Sequence, residues 1–390
     1  MQGQVSPGWE AVKEVFAEHF DQGDELGAAV AVIWRGEEVV SLWGGWAHQA
    51  RTRPWAEDTL SPVYSATKGV SAMVLAHAHA RGLFDYDAPV ARYWPEFVAH
   101  GKEGVTVRQL LAHQAGLATL DENFPVEKLS DHAFVDAILA RQAPDWTPGT
   151  RHGYHATTIG LYEDALLRRV DPQGRDLGQY LAEELAGPLG AEFYIGLPDD
   201  VPDVRVAEMV PAGLGASLRG LGGYPREVRR AVFDADSLLR GALVVPEGWD
   251  VNDRAFVRQV QGSSSGVGSA VGLARLYGAF ATGEAGLDRD TFSQLAAPAE
   301  PPLEGNEDQV LFTESWYSLG FSKPGPKLAF GGSRMAFGTP GAGGSRGFAD
   351  PLHALGYAYI PNKMGTGLGW DPRDDALQEA VYRCLARLER

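Results

Sequence analysis

The chain has 390 residues and a mass of 42.0 kDa, 44% hydrophobic and 22% charged, the make-up of a globular protein too long for one simple hydrophobic core. Its formal charge of -17 argues against nucleic acid and anionic membrane surfaces as partners, because both are met with basic patches. A lone cysteine, Cys384, leaves no intrachain disulfide, and neither an apolar leader core nor an apolar run of about 18 residues is present, so a cytoplasmic protein without membrane contact is expected.

Taken in order, residues 8–20 carry Val12, Val15, Phe16 and Phe20 at helical spacing. Two apolar runs, Gly27 to Trp34 and Glu38 to Trp43, flank a turn at Arg35-Gly36-Glu37 and predict a β-hairpin. An apolar helix follows from about residue 65 to Gly82, and another from Thr106 toward Gly116. Helical patterns recur at about 131–142, 155–169 and 176–186. Residues 200–262 mix Pro, Gly and charge with Trp249 in a loop, the composition of a lid or pocket wall. Gly266 to Phe280 reads as helix, and strands are expected at 317–321, 327–330, 346–349 and 354–360 before a last helix over 374–388. Strands at both ends with helices between predict an α+β fold, a mostly antiparallel sheet flanked by helices with an inserted helical lobe. The expected division is 1–64 plus 265–390 as the sheet domain and 65–264 as the lobe.

The chemistry starts at Tyr64-Ser65-Ala66-Thr67-Lys68, which sets a serine at a helix start with a lysine one turn on, within reach of its hydroxyl. With 18 Ser and 7 Lys in 390 residues, chance supplies about 0.3 such Ser-x-x-Lys tetrads, so the tetrad alone is weak and Ser65 as a plain N-cap stays open. Two other stretches join it. Pro148-Gly149-Thr150 leads to Tyr154 ahead of a helix, a phenol able to relay a proton. Phe337 to Ser345 is a Gly-rich stretch leading into a strand, where the Ala342 N–H can face an oxyanion together with the Ser65 N–H. A competing nucleophile, Ser264 in Gly262-Ser263-Ser264-Ser265-Gly266, lacks a good strand before it, and a Gly/Ser loop capping a helix near Ser269 explains it more simply. His77 and His79 diverge on their helix, and His113, His132, His152 and His155 show no metal-ligand spacing; with no phosphate-cradling glycine motif either, no metal or cofactor is expected.

Together, Ser65-x-x-Lys68, Tyr154 and the stretch 337–345, in that order, resemble the serine β-lactamase and penicillin-binding protein superfamily. Within it they are similar to class C β-lactamases and, more closely, to family VIII carboxylesterases. Leu110 to Leu117 also resembles a family segment. The resemblance implies a β-lactamase/transpeptidase-like fold, Ser65 as nucleophile, Lys68 and Tyr154 as base and acid, and an oxyanion site at the amides of Ser65 and Ala342. Thr339, Gly341 and Gly343 would touch substrate. Where the lactamases and peptidases carry Lys-Thr-Gly, this chain has Thr339-Pro340-Gly341, losing a cation; where class C enzymes carry Tyr-x-Asn, it has Tyr154-His155-Ala156, losing a side-chain amide. Both losses favour neutral esters, so a serine carboxylesterase acting on a small-molecule ester is expected, with acyl transfer as a further outcome. A β-lactamase, D-amino-acid peptidase or amidase using the same residues is one alternative, and a non-catalytic binding protein that keeps the fold is another. Burial is expected to leave the Lys68 amine partly neutral near pH 7, or Tyr154 ionised in its place. Oligomeric state is not legible.

Overall fold

The computed structural model describes residues 1–367 and 369–389, with the backbone alone at 214, 218 and 219. Eleven strands are described: β1 (Gln2–Val5), β2 (Gly27–Trp34), β3 (Glu37–Gly45), β4 (Ser61–Pro62), β5 (Phe193–Ile195), β6 (Gly266–Gly268), β7 (Tyr317–Ser318), β8 (Phe321–Ser322), β9 (Phe337–Pro340), β10 (Arg346–Asp350) and β11 (Leu355–Pro361). Eight of them form one antiparallel sheet in the order β1-β3-β2-β11-β10-β9-β8-β7, all drawn from the two ends of the chain. The expected antiparallel sheet flanked by helices is therefore present. A smaller sheet, β4-β6-β5, lies beside it.

The helices are α1 (Glu10–Asp21), α2 (Ala66–Ala80), α3 (Val107–Leu111), α4 (His132–Arg141), α5 (Ile159–Val170), α6 (Leu177–Tyr180), α7 (Leu214–Gly222), α8 (Arg226–Phe233), α9 (Leu238–Ala242), α10 (Arg254–Val257), α11 (Ala270–Thr282), α12 (Arg289–Ala296) and α13 (Pro372–Leu388). No helix among the described residues is long and apolar enough to cross a membrane.

The sheet is covered on both faces, which is why β2 reads as an unbroken apolar run. Alternation divides its side chains. Val30 and Val32 join the cluster under α1 and α13 with Phe16, Tyr357 and Val381, whereas Ala29, Ala31 and Ile33 join the larger cluster that includes α2 and α11. Helix α11 lies close to the sheet because Gly356 leaves room: a Cβ there would stand 2.2 Å from the Gly278 nitrogen.

Four expectations need correction. β1 was not foreseen, since Gln2-Gly3-Gln4-Val5 is a polar, exposed edge strand; Gly3, at φ +103°, has no room for a Cβ beside the Ser41 carbonyl. Residues 327–330 form no strand but only an isolated bridge between Gly325 and Leu328, because Pro324 and Pro326 remove donors a ladder needs. The Gly-rich stretch expected to lead into a strand begins as strand β9 itself, paired with β10 from Phe337↔Ala349 to Pro340↔Arg346. The helix expected from Gly266 starts at Ala270 behind the Ser269 cap; residues 266–268 are strand β6, whose glycines fit against Thr67 and Phe193 where side chains would clash. Helices at 132–141 and 159–170 follow the periodicity, and the run at 177–186 changes from α6 to a π-helical turn over 181–186.

Candidate active site

Helix α2 carries the site and is buried almost all round, in keeping with its mostly small and apolar sequence. It starts directly after β4, through Val63 and Tyr64. Tyr64 sits at φ +48°, an arrangement that costs a non-glycine residue about 1–3 kcal/mol and recurs at functional sites. This kink delivers Ser65 at the helix N-cap position with its side chain free, since it makes no capping bond. Thr67 fixes the turn instead: its hydroxyl donates to the Tyr64 carbonyl at 2.5 Å and accepts from the Gly266 amide at 2.9 Å.

Lys68 follows one turn on, 1% exposed, and its Nζ donates to Ser65 Oγ at 3.0 Å and to the Ser263 carbonyl at 2.9 Å. No carboxylate lies within ion-pair distance of it among the described residues. Burial lowers the amine to about 7, opposed by the charge of Glu163, so a substantial fraction is neutral near pH 7. Tyr154 is half-buried with its ring 5.0 Å from the Lys68 Nζ, and the Ser65 side chain acts on its phenol. Burial pushes its phenol up to about 12, so of the two expected charge states the neutral amine is favoured and the phenolate is not. Ser65, Lys68 and Tyr154, far apart in the chain, are thus neighbours.

The surroundings of Tyr154 were only partly legible. His155 stands in a turn before α5, accepting from the Leu117 amide and meeting the Gly153 carbonyl through its other nitrogen, while its own amide donates to His113 Nδ1 at 3.1 Å. Burial drives His155 down to about 4 and His113 well below the usual imidazole range, so these rings are neutral braces. The segment 306–317, to which the sequence reading assigned no function, closes the other side. Asp308 accepts the Tyr154 amide and the Tyr317 hydroxyl, and the Tyr317 ring stacks on Tyr154 at 6.2 Å. The loop 261–265 was read as a Gly/Ser loop before the Ser269 cap, as it is, but its contact with Lys68 was not read. Ser263 provides the carbonyl to Lys68 and its hydroxyl accepts the Gly160 amide, while Ser71 donates to the Gly262 carbonyl. A Cβ at Gly160 would stand 2.2 Å from the Ser263 nitrogen, so only glycine admits that loop between α2 and α5.

Ser65 and Tyr154 open on a cavity of about 410 Å³ that Gly341 and Ala342 also line. Tyr64, Leu239, Leu243, Trp249, Trp316 and Trp370 make its walls mainly apolar. The stretch 200–262 contributes α9 and Trp249 to these walls. Neither the Ser65 nor the Ala342 amide donates in the backbone hydrogen bonds of turns, loops and caps among the described residues. Thr339 and Gly343 are placed differently from expectation: Thr339 is buried near Tyr277 and Gly69, and Gly343, at φ +86°, backs onto Met364, so neither lines the cavity. Ser264 does line it, with its hydroxyl near Gln261 and Trp249 rather than a base. A larger cleft of about 1070 Å³ around Glu18, His19 and Arg383 holds no nucleophile beside a base. No group of three or more His, Cys, Asp or Glu among the described residues is arranged to hold a metal ion.

Comparison with known proteins places these features in context. The family model described as Beta-lactamase matches residues 12–382. The chain is 34% identical over 366 residues to the Esterase/beta-lactamase LipL of Mycobacterium tuberculosis, covering 93% of this chain and 83% of that protein. It superposes on the crystal structure of a family VIII carboxylesterase with a TM-score of 0.86 at 38% identity, covering 98% and 99% of the two chains. EstA from Arthrobacter nitroguajacolicus gives 0.85 at 32% identity, with full coverage of both, 100% and 100%.

Proposed function

Because the chain belongs to the beta-lactamase family, we propose that it is a serine hydrolase that cleaves small carboxylic esters through an acyl-enzyme on Ser65. The observation that carries this reading is the 3.0 Å contact between the Ser65 hydroxyl and a buried lysine amine that has no carboxylate partner in contact. In its neutral form that amine accepts the hydroxyl proton as Oγ attacks the ester carbonyl. The oxyanion that forms is met by the amides of Ser65 and Ala342, and the alkoxide leaves with a proton relayed through Tyr154. Water, or another acceptor alcohol, then attacks the acyl-enzyme by the same steps in reverse.

The apolar walls and the replaced motifs direct the substrate class. Ala156 lines the cavity where an asparagine side chain would meet a substrate amide, and Thr339-Pro340-Gly341 supplies no cation for a substrate carboxylate. Uncharged esters with a small apolar acid fit such a site better than anionic amides. The family VIII carboxylesterase and EstA, both similar over nearly the full chain, support the same direction. A second reading, β-lactam hydrolysis by the same residues, is favoured by one observation, the combined name of the mycobacterial relative. Assaying p-nitrophenyl acetate and butyrate beside nitrocefin separates the two. Ester turnover well above nitrocefin turnover, abolished by Ser65→Ala, is the expected result; equal ester turnover in that variant contradicts the assignment.

A further inference from the structure

The two amides proposed for the oxyanion belong to segments far apart in the chain, the start of α2 and the turn after β9. Two amides act on one oxygen only if their spacing is held, since each must stand about 2.7–3.1 Å from it. Ser345, at the far end of that turn, reaches both segments. It is 2% exposed, and its hydroxyl donates to the Val63 carbonyl at 2.7 Å while its own carbonyl accepts the Gly341 amide at 2.7 Å.

Each of those partners lies within two residues of an oxyanion amide. The Val63 carbonyl also accepts the Ala66 amide at 3.2 Å, so it closes the turn that holds Tyr64 at φ +48° and presents Ser65. Gly341 directly precedes Ala342. A Cβ on it would stand 2.1 Å from Ser345 Oγ and 2.2 Å from the Val63 oxygen, so the two backbones meet with no side chain between them. Among the described residues the Ser345–Val63 bond is the one hydrogen bond joining 341–345 to 62–66. The other side of the turn is held from behind: the Gly343 carbonyl accepts Arg373 Nη2 of α13 at 3.1 Å and the Gly365 amide at 2.9 Å.

We infer that Ser345 is a positioning residue for the reaction: by bonding Val63 from the Gly341 side it sets the spacing between the Ser65 and Ala342 amides. This role rests on Ser65 being the nucleophile and on those two amides receiving the oxyanion. Without the hydroxyl, the Val63 carbonyl keeps the Ala66 amide and the carbonyl of residue 345 keeps Gly341, so each segment holds its own shape and the spacing between them is released. The oxyanion is then met well by one amide and poorly by the other. Deleting a donor outright costs about a hundredfold or more in rate, and a displaced donor should cost less.

The test compares p-nitrophenyl acetate with its thiono analogue, in which sulfur replaces the carbonyl oxygen, on the same samples of wild type, Ser345→Ala and Ser345→Cys. Amides spaced for an oxygen hold the larger, weakly accepting sulfur poorly, so the wild type should cleave the oxygen ester far faster. In Ser345→Ala, kcat for that ester should fall by about tenfold with KM within about twofold of the wild type. The thiono ester should lose about twofold or less, so the ratio of the two rates falls by about fivefold or more. Unfolded protein cancels from the ratio, which keeps the comparison sound where a variant folds only in part. Ser345→Cys fills the same space with a weaker donor and should lower the ratio in the same direction by a smaller factor. A ratio within about twofold of the wild type in both variants overturns the inference while leaving the nucleophile assignment intact. A wild type that takes no fluorophosphonate label at Ser65, or that cleaves both esters alike, fails the machinery on which the role rests, and this inference with it.

Discussion

Lys68 and Arg346 are buried on different sides of the protein, and their surroundings differ in kind. Arg346, 3% exposed at its side chain, pairs through Nε with Asp374, which in turn accepts the Tyr357 hydroxyl at 2.9 Å and the Gln378 amide at 2.7 Å. Beside it Arg373 reaches Asp371 through two nitrogens, at 2.9 and 2.7 Å, and Glu25 through a third at 3.0 Å. Each guanidinium in that cluster has a carboxylate in contact, although Arg346 Nη1 is left without a hydrogen-bond partner, and the pairs tie β10 and β11 to α13. Lys68 has only a hydroxyl and a carbonyl as hydrogen-bond acceptors, and its charged form is correspondingly disfavoured. A paired buried cation is structure; an unpaired one is a base in waiting.

Burial of the amine is not enough on its own. Lys323 is also lowered to about 7 by burial and Lys102 to about 8, but their amines are spent on backbone carbonyls, Leu295 and Met335 for the first, Ala140 and Gln142 for the second. What separates Lys68 is the Ser65 hydroxyl 3.0 Å from its amine, at the edge of the cavity that Ser65 lines.

The contrast can be broken by substitution. Ser65→Ala should lower ester turnover by a thousandfold or more, about 4 kcal/mol of transition-state stabilisation. Lys68→Met should lower it by a similar factor, yet thermal melting should show the fold no less stable, because an unpaired buried amine is exchanged for an apolar chain of like length. Arg346→Met should do the reverse: Asp374 loses its charge partner, at about 3–5 kcal/mol by chemical denaturation, while any folded fraction keeps its Ser65 reactivity. Equal stability losses in the two methionine variants would dissolve the distinction. Tyr154→Phe, which keeps the ring stacked on Tyr317 but removes the proton relay, should cost about a hundredfold in turnover with little change in melting. The smallest effect is expected at the cavity wall, where Trp249→Ala should reduce kcat/KM for butyrate relative to acetate esters by about three- to tenfold.

What the sequence disclosed and what it withheld divide along the same physical line. The β2–β3 hairpin, α2 and the Ser65–Lys68 pair are short-range features, written in neighbouring residues and read from spacing. Tyr154 was legible through its local turn and the family likeness. The Ser263 carbonyl, Asp308 and Tyr317 were not, because each reaches the site across more than 150 intervening residues, counted from Lys68 or Tyr154. Gly160 carries the trace of the Ser263 approach, but a glycine in a sequence does not say whose backbone it admits. β1 escaped because an exposed edge strand need not be apolar, and Thr339 was misplaced because a strand turns alternate side chains away from the cavity.

The central claim is that Ser65 reacts because a neutral, buried Lys68 takes its proton. It is tested most directly by labelling the wild type with a fluorophosphonate probe across pH and locating the adduct by mass spectrometry. With the amine lowered to about 7, its basic form fills in as pH rises through that value, so labelling at Ser65 should climb close to tenfold per pH unit below about 6.5 and level off above about 7.5. The plateau should persist to pH 9, since the Tyr154 phenol, raised to about 12, keeps its proton there. A rate flat from pH 5 to 9, or an adduct on Ser264 instead, would contradict the account.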